Sequence, residues 1–208
     1  MSKNIIIVGA GEQGGVAANI LCMDIQNKVA GFLDDAPNPG RKCLGTTKDA
    51  PRYIRKRYLF FVAVGNNRVR KEILDRLKRQ GAVFINALHP TSLIEKDVIL
   101  GQNIMAGASS YININSRVED GAIINSGCLV EHDNHIGSFA HLAPGVITGG
   151  GVSIGEKTFV GLSSVVNDHL SIGSDTIVGS GAVVINDLPD RVVAAGCPAK
   201  IIKKRKDL

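Results

Sequence analysis

The chain has no tryptophan, three tyrosines and six phenylalanines in 208 residues, so its core is not built on large rings. It has no apolar run near the ~18 residues that a membrane-crossing helix needs. Its four cysteines, Cys22, Cys43, Cys128 and Cys197, stand far apart with no CxxC pair. Neither metal-ligand spacing nor a disulfide framework is supported, and reduced thiols in a cytosol are the expectation. The opening MSKNIIIVGAG carries one lysine and a short apolar run leading into glycines, the pattern of a strand and not of a signal peptide. What the chain does have is glycine, 24 residues, and a hydrophobic share of 44%, which excludes a disordered chain.

The formal net charge of +5 hides a division. Residues 1–87 carry 15 Lys/Arg against 7 Asp/Glu, residues 88–199 carry 4 against 11, and the last nine residues carry 5 against 1. Two stretches of opposite charge predict two domains, 1–87 and 88–208. The basic first half has no arginine-rich helix and no aromatic RNA-binding motif. Phosphates on a small molecule are the partner it fits, and neither nucleic acid nor membrane is expected.

An internal repeat fixes the second half. From Leu100 the chain divides without a slip into fifteen six-residue blocks, and thirteen of their first positions are Ile, Leu or Val, with Ala106 and Thr148 the exceptions. A period of six suits neither a helix nor a flat strand. It fits a parallel β-helix in which each block supplies one short strand and one corner, and three blocks complete a triangular coil. The first-position aliphatic residue points inward and stacks on its equivalents 18 residues away. Glycine or asparagine at position two is expected to make the corner. Ninety residues give about five coils, with Ile94 beginning a partial one. Such a prism needs covering elements and a partner subunit.

The first half reads as a Rossmann-like βαβ unit. Strands are predicted at Asn4–Val8, Val29–Leu33 and Leu59–Val64. Helices are predicted at Val16–Met23 and at Arg68–Gln80, the latter burying Ile73, Leu74 and Leu77. Gly9, Gly11 and Gly14 form a Gly-x-Gly-x-x-Gly between a strand and a helix, with Asp34-Asp35 about 20 residues on, the arrangement of a phosphate-binding turn. The unit is large enough for one mononucleotide half and not for two. Asp34 and Asp35 are placed to accept hydrogen bonds from a base or ribose; a solvated turn before Pro37 and Pro39 is the other reading. Gly65-Asn66-Asn67 follows the next strand, where amides meet phosphate.

Three of the five histidines, His132, His135 and His141, fall within ten residues. His132 stands at a corner position between Glu131 and Asp133. A carboxylate beside an imidazole fixes its tautomer and raises its basicity, as a general base requires. His135 and His141 share a phase on consecutive faces, so their side chains diverge and no metal is expected. His89, before Pro90, reads as structural, and His169 carries little signal. Cys128 lies at an inward position with no base beside it, so no covalent intermediate is expected.

These features together resemble the PglD/NeuD-type sugar O- and N-acyltransferases of the left-handed β-helix superfamily, which include the UDP-4-amino-sugar N-acetyltransferases of bacillosamine-type pathways. The likeness covers nearly the whole chain. It rests on the glycine turn at 9–15, FLDD at 32–35, VGNNRVRKEI at 64–73, NSGCLVEHDNHIGSFAHLAPGV at 125–146 and GCPAK at 196–200.

The resemblance implies acetyl transfer from acetyl-CoA to the amino group of a UDP-linked 4-amino-4,6-dideoxy sugar by a cytoplasmic homotrimer whose sites lie between neighbouring β-helices. His132 matches the family's general base and Asp133 its supporting carboxylate. His141 matches a contact to the acetyl donor, and a backbone amide near it would steady the oxyanion. Asn125 matches a residue close to the reacting groups. Gly150, Gly161 and Leu162 match the acetyl-CoA groove, and Lys200, after the Gly-Cys-Pro-Ala turn, is placed for the 3′-phosphate of CoA. Gly9, Gly11, Gln13, Asp34, Asp35, Gly65 and Asn66 match the nucleotide-sugar site. Members commonly read Gly-His-Gly in the first turn, where this chain has Glu12-Gln13-Gly14. O-acetylation, as on a sialic acid, and a non-catalytic nucleotide-sugar-binding β-helix are the alternatives that the residues leave open.

Overall fold

A computed structural model describes residues 3–36 and 41–205. The chain divides into two units, Met1–Pro90 and Thr91–Leu208. In the first, the Ile5-Ile6-Ile7 run is wholly buried, as befits a central strand covered on both faces. The strands are β1 (Lys3–Val8), β2 (Asn27–Leu33), β3 (Cys43–Gly45), β4 (Leu59–Val62) and β5 (Val83–Phe84). They form one parallel sheet of order β3-β2-β1-β4-β5. The order reverses between β1 and β4, so a crevice opens at their carboxyl ends, where open α/β sheets bind ligands. Helices α1 (Glu12–Cys22), α2 (Ala50–Arg55) and α3 (Asn67–Arg79) connect the strands.

Helix α1 begins at Glu12, four residues before the predicted Val16. Gly11 is its N-cap, so Gly14 and Gly15 belong to the helix and the phosphate-type turn is only Gly9-Ala10-Gly11. Two of these glycines have a steric cause. Gly9 has φ +108, and a Cβ there would stand 2.6 Å from the Ala63 carbonyl oxygen; a Cβ on Gly14 would stand 2.1 Å from the Gly9 carbonyl oxygen. Strand β3 and helix α2 carry no strong periodic signal and went unpredicted.

The second unit is the expected prism. Two-residue strands, each made of one block's sixth residue and the next block's first, pair in parallel with the strands 18 residues away: Tyr111–Ile112 with Leu129–Val130, Leu129–Val130 with Ile147–Thr148, and so on around three sheets. The first-position residues from Ala106 to Val184 are all buried. Each aliphatic one withdraws enough apolar surface to stabilise the stack by about 1.5–3 kcal/mol, an upper estimate. Leu93–Ile94 begins the first coil.

The corner chemistry differs from the expectation. Left-handed backbone falls at position four, at Asn115 (φ 59), Asp133 (φ 59), Gly151 (φ 66) and His169 (φ 56) in one corner. Position two is glycine for another reason: it touches the next coil. A Cβ on Gly107 would stand 2.4 Å from the Ser126 backbone nitrogen, and one on Gly161 would stand 2.5 Å from that of Ser180. The chain ends in a hairpin, Val192–Ala195 with Lys200–Lys204 antiparallel. Lys200, Lys203 and Lys204 are exposed on its outer strand, where lysines discourage edge-to-edge pairing. Lys206 lies outside the described residues.

Candidate active site

His132 follows the strand Leu129–Val130 at a corner held by Asn134. That buried side chain donates from Nδ2 to the carbonyls of Glu131 (2.8 Å), His132 (3.2 Å) and Gly149 (2.8 Å). His132 Nδ1 lies 2.7 Å from Asp133 Oδ2, with the two side chains 50% and 54% exposed. The hydrogen bond from His132, then one from Asn115, holds the Asp133 carboxyl below the usual carboxylate range. An ionised Asp133 takes the Nδ1 proton as its partner, so Nε2 carries the lone pair. The ring lies against Gly150, where a Cβ would stand 2.5 Å from Cε1 and 2.7 Å from Nε2. His132, Asp133 and Gly150 are therefore brought together.

His141 and Asn125 form a second group. His141 is only 8% exposed; its Nε2 is 3.3 Å from Asn125 Nδ2, and its ring meets Phe159 edge-on at 5.2 Å. Strand His141–Leu142 belongs to a different sheet from Leu129–Val130, so the structure does not bring His141 and Asn125 to the His132 corner of the same prism. Leu162 is 51% exposed, whereas Gly161 has the packing reason given above. His135 pairs with Glu119 at 3.0 Å, and that hydrogen bond leads the causes that depress the Glu119 pKa. Among the described residues, no group of three or more His, Cys, Asp or Glu is placed to hold a metal ion. Cys128 is buried, its Sγ 3.2 Å from the Ala143 carbonyl oxygen, and burial pushes its pKa up to about 11.

In the first unit a cavity of about 550 Å³ opens at the carboxyl ends of β1, β2 and β4. Its walls include Gly9, Gly11, Gln13, Asp34, Asp35 and Gly65, six of the residues singled out from the sequence. Gly11 and Gly65 would meet nothing within 4 Å if given a Cβ, so neither packing nor backbone strain accounts for them; they leave room in the cavity. The two aspartates are spent on the scaffold. Asp34 Oδ2 accepts the Ala10 amide at 2.6 Å and Oδ1 that of Ala36, which fixes the glycine turn. Asp35 accepts the Thr47 amide and hydroxyl at 3.0 and 2.9 Å, and Arg76 donates to the same hydroxyl at 2.8 Å. Asn66 does not line the cavity: its Oδ1 caps α3 by accepting from Arg68 and Val69.

Two cations escaped the sequence reading. Arg41 donates from Nη1 to the Ala10 carbonyl at 2.9 Å and lies across Gly15, which brings a guanidinium to a turn whose own sequence offers Glu12 and Gln13. Arg70, 1% exposed, donates to the Val64 and Gly65 carbonyls at 2.8 and 3.2 Å and to Asn67 Oδ1, setting the loop that forms the far wall. Burial lowers its pKa to about 9, so it stays charged at neutral pH. Arg41 lies 31 residues from Ala10, a distance that no local motif reveals, whereas Arg70 reaches only 3 to 6 residues back and its burial is what the sequence does not show.

The PglD N-terminal domain family model matches residues 4–77. The solved structure of PerB from Caulobacter crescentus in complex with CoA and GDP-perosamine superposes with a TM-score of 0.92 at 37% identity, covering 96% of this chain and 97% of that one. The acetyltransferase domain of PglB from Neisseria gonorrhoeae FA1090, in complex with acetyl coenzyme A, gives 0.92 at 30% identity, with coverage of 97% and 100%. UDP-N-acetylbacillosamine N-acetyltransferase of Bacillus subtilis is 36% identical over 106 residues, a match spanning about half of each protein, 48% of this chain and 49% of that one. Matched over nearly its whole length, the chain belongs to the PglD/NeuD-type family of sugar acyltransferases and is an acyltransferase.

Proposed function

We propose that the protein transfers an acetyl group from acetyl-CoA to the amino group of a nucleotide-linked 4-amino-4,6-dideoxy sugar, with His132 as general base. The observation that carries this reading is the 2.7 Å contact between His132 Nδ1 and Asp133 Oδ2 at a half-exposed corner. Nε2 takes a proton from the amine as nitrogen bonds to the thioester carbonyl carbon and the π pair moves to oxygen; when the carbonyl re-forms the C–S bond breaks, and sulfur leaves with the pair and takes the proton from the imidazolium that Asp133 stabilises. The nucleotide is assigned to the 550 Å³ cavity, whose apolar floor of Val8, Leu33, Ala63 and Ile73 suits a base and whose Gly11 and Gly65 admit its phosphates. The relatives' names include both a UDP-linked and a GDP-linked product or ligand, so both enter the test. UDP is the nucleotide that the sequence resemblance favours. Acetyl-CoA, bound in the Neisseria relative, is assigned to the second unit beside His141, Leu162 and Lys200.

A homotrimer supports the same chemistry. The sheet containing Leu129–Val130 presents exposed Leu93 (57%) and Ile147 (42%) on its outer side, apolar surface that a second copy would cover. One edge of that sheet leads to the His132 corner and the other to Asn125, so packing there would combine the two groups from neighbouring protomers. The cytoplasm, which the sequence resemblance implies, is the compartment assigned to the reaction. No helix among the described residues is long and apolar enough to cross a membrane.

The test is thiol release from acetyl-CoA with a panel of UDP- and GDP-linked amino sugars. The expected product keeps its acetyl group in mild alkali, as an amide does. An alkali-labile product would convert the reading to ester formation, and silence across the panel despite nucleotide binding would make the protein a binding module.

A further inference from the structure

The cavity of the first unit is lined by charge of the wrong sign for a phosphate ligand. Its titratable lining residues are Glu12, Asp34 and Asp35, all acidic, whereas a nucleotide-linked sugar brings an anionic pyrophosphate. Hydrogen bonds tie Asp34 to the amides of Ala10 and Ala36, and Asp35 to Thr47, but these bonds leave both carboxylates charged. The cation that a pyrophosphate needs must come from behind the lining or from its rim.

Three arginines reach the walls. Arg70 is buried and gives its Nη atoms to the Val64 and Gly65 carbonyls and to Asn67 Oδ1, and Arg76 donates to the Thr47 hydroxyl. Arg41 differs from both. It is half-buried, and among the described residues its one hydrogen bond is from Nη1 to the Ala10 carbonyl at 2.9 Å. Ala10 stands between Gly9 and Gly11, both in the cavity wall. The guanidinium is thus one residue from the cavity, inside the ~8 Å over which exposed charges act at physiological salt.

Gly15 shows that this seat is reserved. It lies inside α1 with no positive φ, at a position where glycine weakens a helix relative to alanine. No backbone strain accounts for it. The three atoms nearest to a Cβ at position 15 all belong to the Arg41 guanidinium: Nη2 at 2.2 Å, Cζ at 3.1 Å and Nε at 3.3 Å. The helix lacks a side chain exactly where the planar group lies. One turn earlier, Gly11 would meet nothing within 4 Å if given a Cβ, so open space adjoins the seat on the cavity side.

We propose that Arg41 binds the pyrophosphate of the nucleotide-linked sugar, giving its remaining N–H donors to phosphate oxygens beside Gly11. The inference deepens the assignment of the nucleotide to this cavity and rests on it. A guanidinium has five N–H donors, of which the Ala10 carbonyl takes one, and its fork matches two phosphate oxygens at once. Arg41 therefore reads phosphate and not base, and its contribution is the same for a UDP-linked and a GDP-linked sugar. A role confined to clamping the Ala10 carbonyl would need a donor but no charge.

The experiment titrates UDP and GDP calorimetrically into the native protein, Arg41→Gln and Gly15→Ala. It is run at about 0.05 and 0.5 M KCl, between which the screening length falls from roughly 14 to 4 Å. Glutamine keeps an amide donor for the turn. Alanine strengthens α1 while displacing the guanidinium, so Gly15→Ala should melt at or above the native temperature. Both variants should bind the diphosphates about 10- to 100-fold more weakly at low salt, and the gap from the native protein should narrow at high salt. Native affinity in either variant, or a gap that does not narrow, would overturn the role of Arg41 and leave the nucleotide in the cavity. A native protein that binds neither diphosphate overturns the cavity assignment itself, and this proposal with it.

Discussion

The His132 imidazole lies on Gly150 so closely that a methyl group there would stand 2.5 Å from Cε1. Gly150 has no positive φ, and what it would strike is the movable end of a side chain. Gly150→Ala should therefore displace the ring while sparing the fold. Turnover should fall about 10- to 100-fold, because misplacing a reacting group by about 1 Å costs on that order. Steady-state kinetics beside a melting curve checks it, and a large drop in Tm with normal turnover would count against the arrangement.

Replacing His132 with alanine should lower kcat by about 10²–10⁴-fold and leave acetyl-CoA binding intact. Asp133→Asn should lower it by about 10- to 1,000-fold, through the lost tautomer and counter-charge. The sign of the pH effect follows from the depressed Asp133 pKa. A carboxyl held below the usual carboxylate range is already ionised at neutral pH, so the acid limb of the native profile does not report its titration. Asp133→Asn should therefore lower kcat by a similar factor across the neutral range, with no added acid limb.

How these sites could be read in advance differs between the two units. The prism was legible because one constraint, an inward aliphatic residue every six positions, acts through local sequence; Ile112, Val130 and Val166 are buried as their phase demands. Its corners were not, because left-handed backbone at position four is taken by residues as unlike as Phe139 and Lys157, which leave no compositional mark. In the first unit the glycine turn was visible, but its helix begins earlier than predicted, because Gly14 is a helix residue whose missing Cβ lets α1 approach the Gly9 carbonyl. Arg41 at Ala10 and Arg76 at Thr47 lie 31 and 29 residues from their partners. Contacts of that kind depend on the finished sheet.

Gly161 and Leu162 separate packing from donor binding. A Cβ on Gly161 would strike backbone, 2.5 Å from the Ser180 nitrogen, so Gly161→Ala should destabilise by about 1–3 kcal/mol, or roughly 2–4 °C in Tm per kcal/mol for a chain of this size. Leu162→Ala removes an exposed side chain. It should leave Tm within about 1–2 °C, by the usual ±0.5 kcal/mol for surface changes, while raising the KM for acetyl-CoA severalfold. A native KM in the Leu162 variant would remove that residue from the groove.

The cavity glycines allow a matching test in the first unit. Gly11 and Gly65 face open space, so Gly11→Leu and Gly65→Leu should fold normally yet weaken nucleotide-sugar binding by at least about tenfold, as bulk excludes the ligand. Gly9→Ala, with φ +108 and a 2.6 Å approach to the Ala63 carbonyl oxygen, should instead lower stability. Calorimetric titration with UDP and GDP, alongside melting curves, distinguishes the two classes.

Cys128 supplies a stability signal separate from catalysis. Burial raises its pKa to about 11, above the unfolded thiol's value of about 8.5. A raised acid pKa means that the folded chain holds its proton longer than the unfolded one. The associated stability is complete below about pH 8.5 and is lost as pH rises toward 11, because the unfolded chain is then favoured by ionising. Between those limits the native protein should lose about 2–3 kcal/mol more than Cys128→Ala, whose own loss from the cavity is independent of pH. Urea unfolding of both proteins at about pH 8 and pH 10.5 reads the difference directly. Exposed Cys22 and Cys197 should react with a thiol reagent at neutral pH and Cys128 only after unfolding; early labelling of Cys128 would show that its side chain does not sit inside the coil.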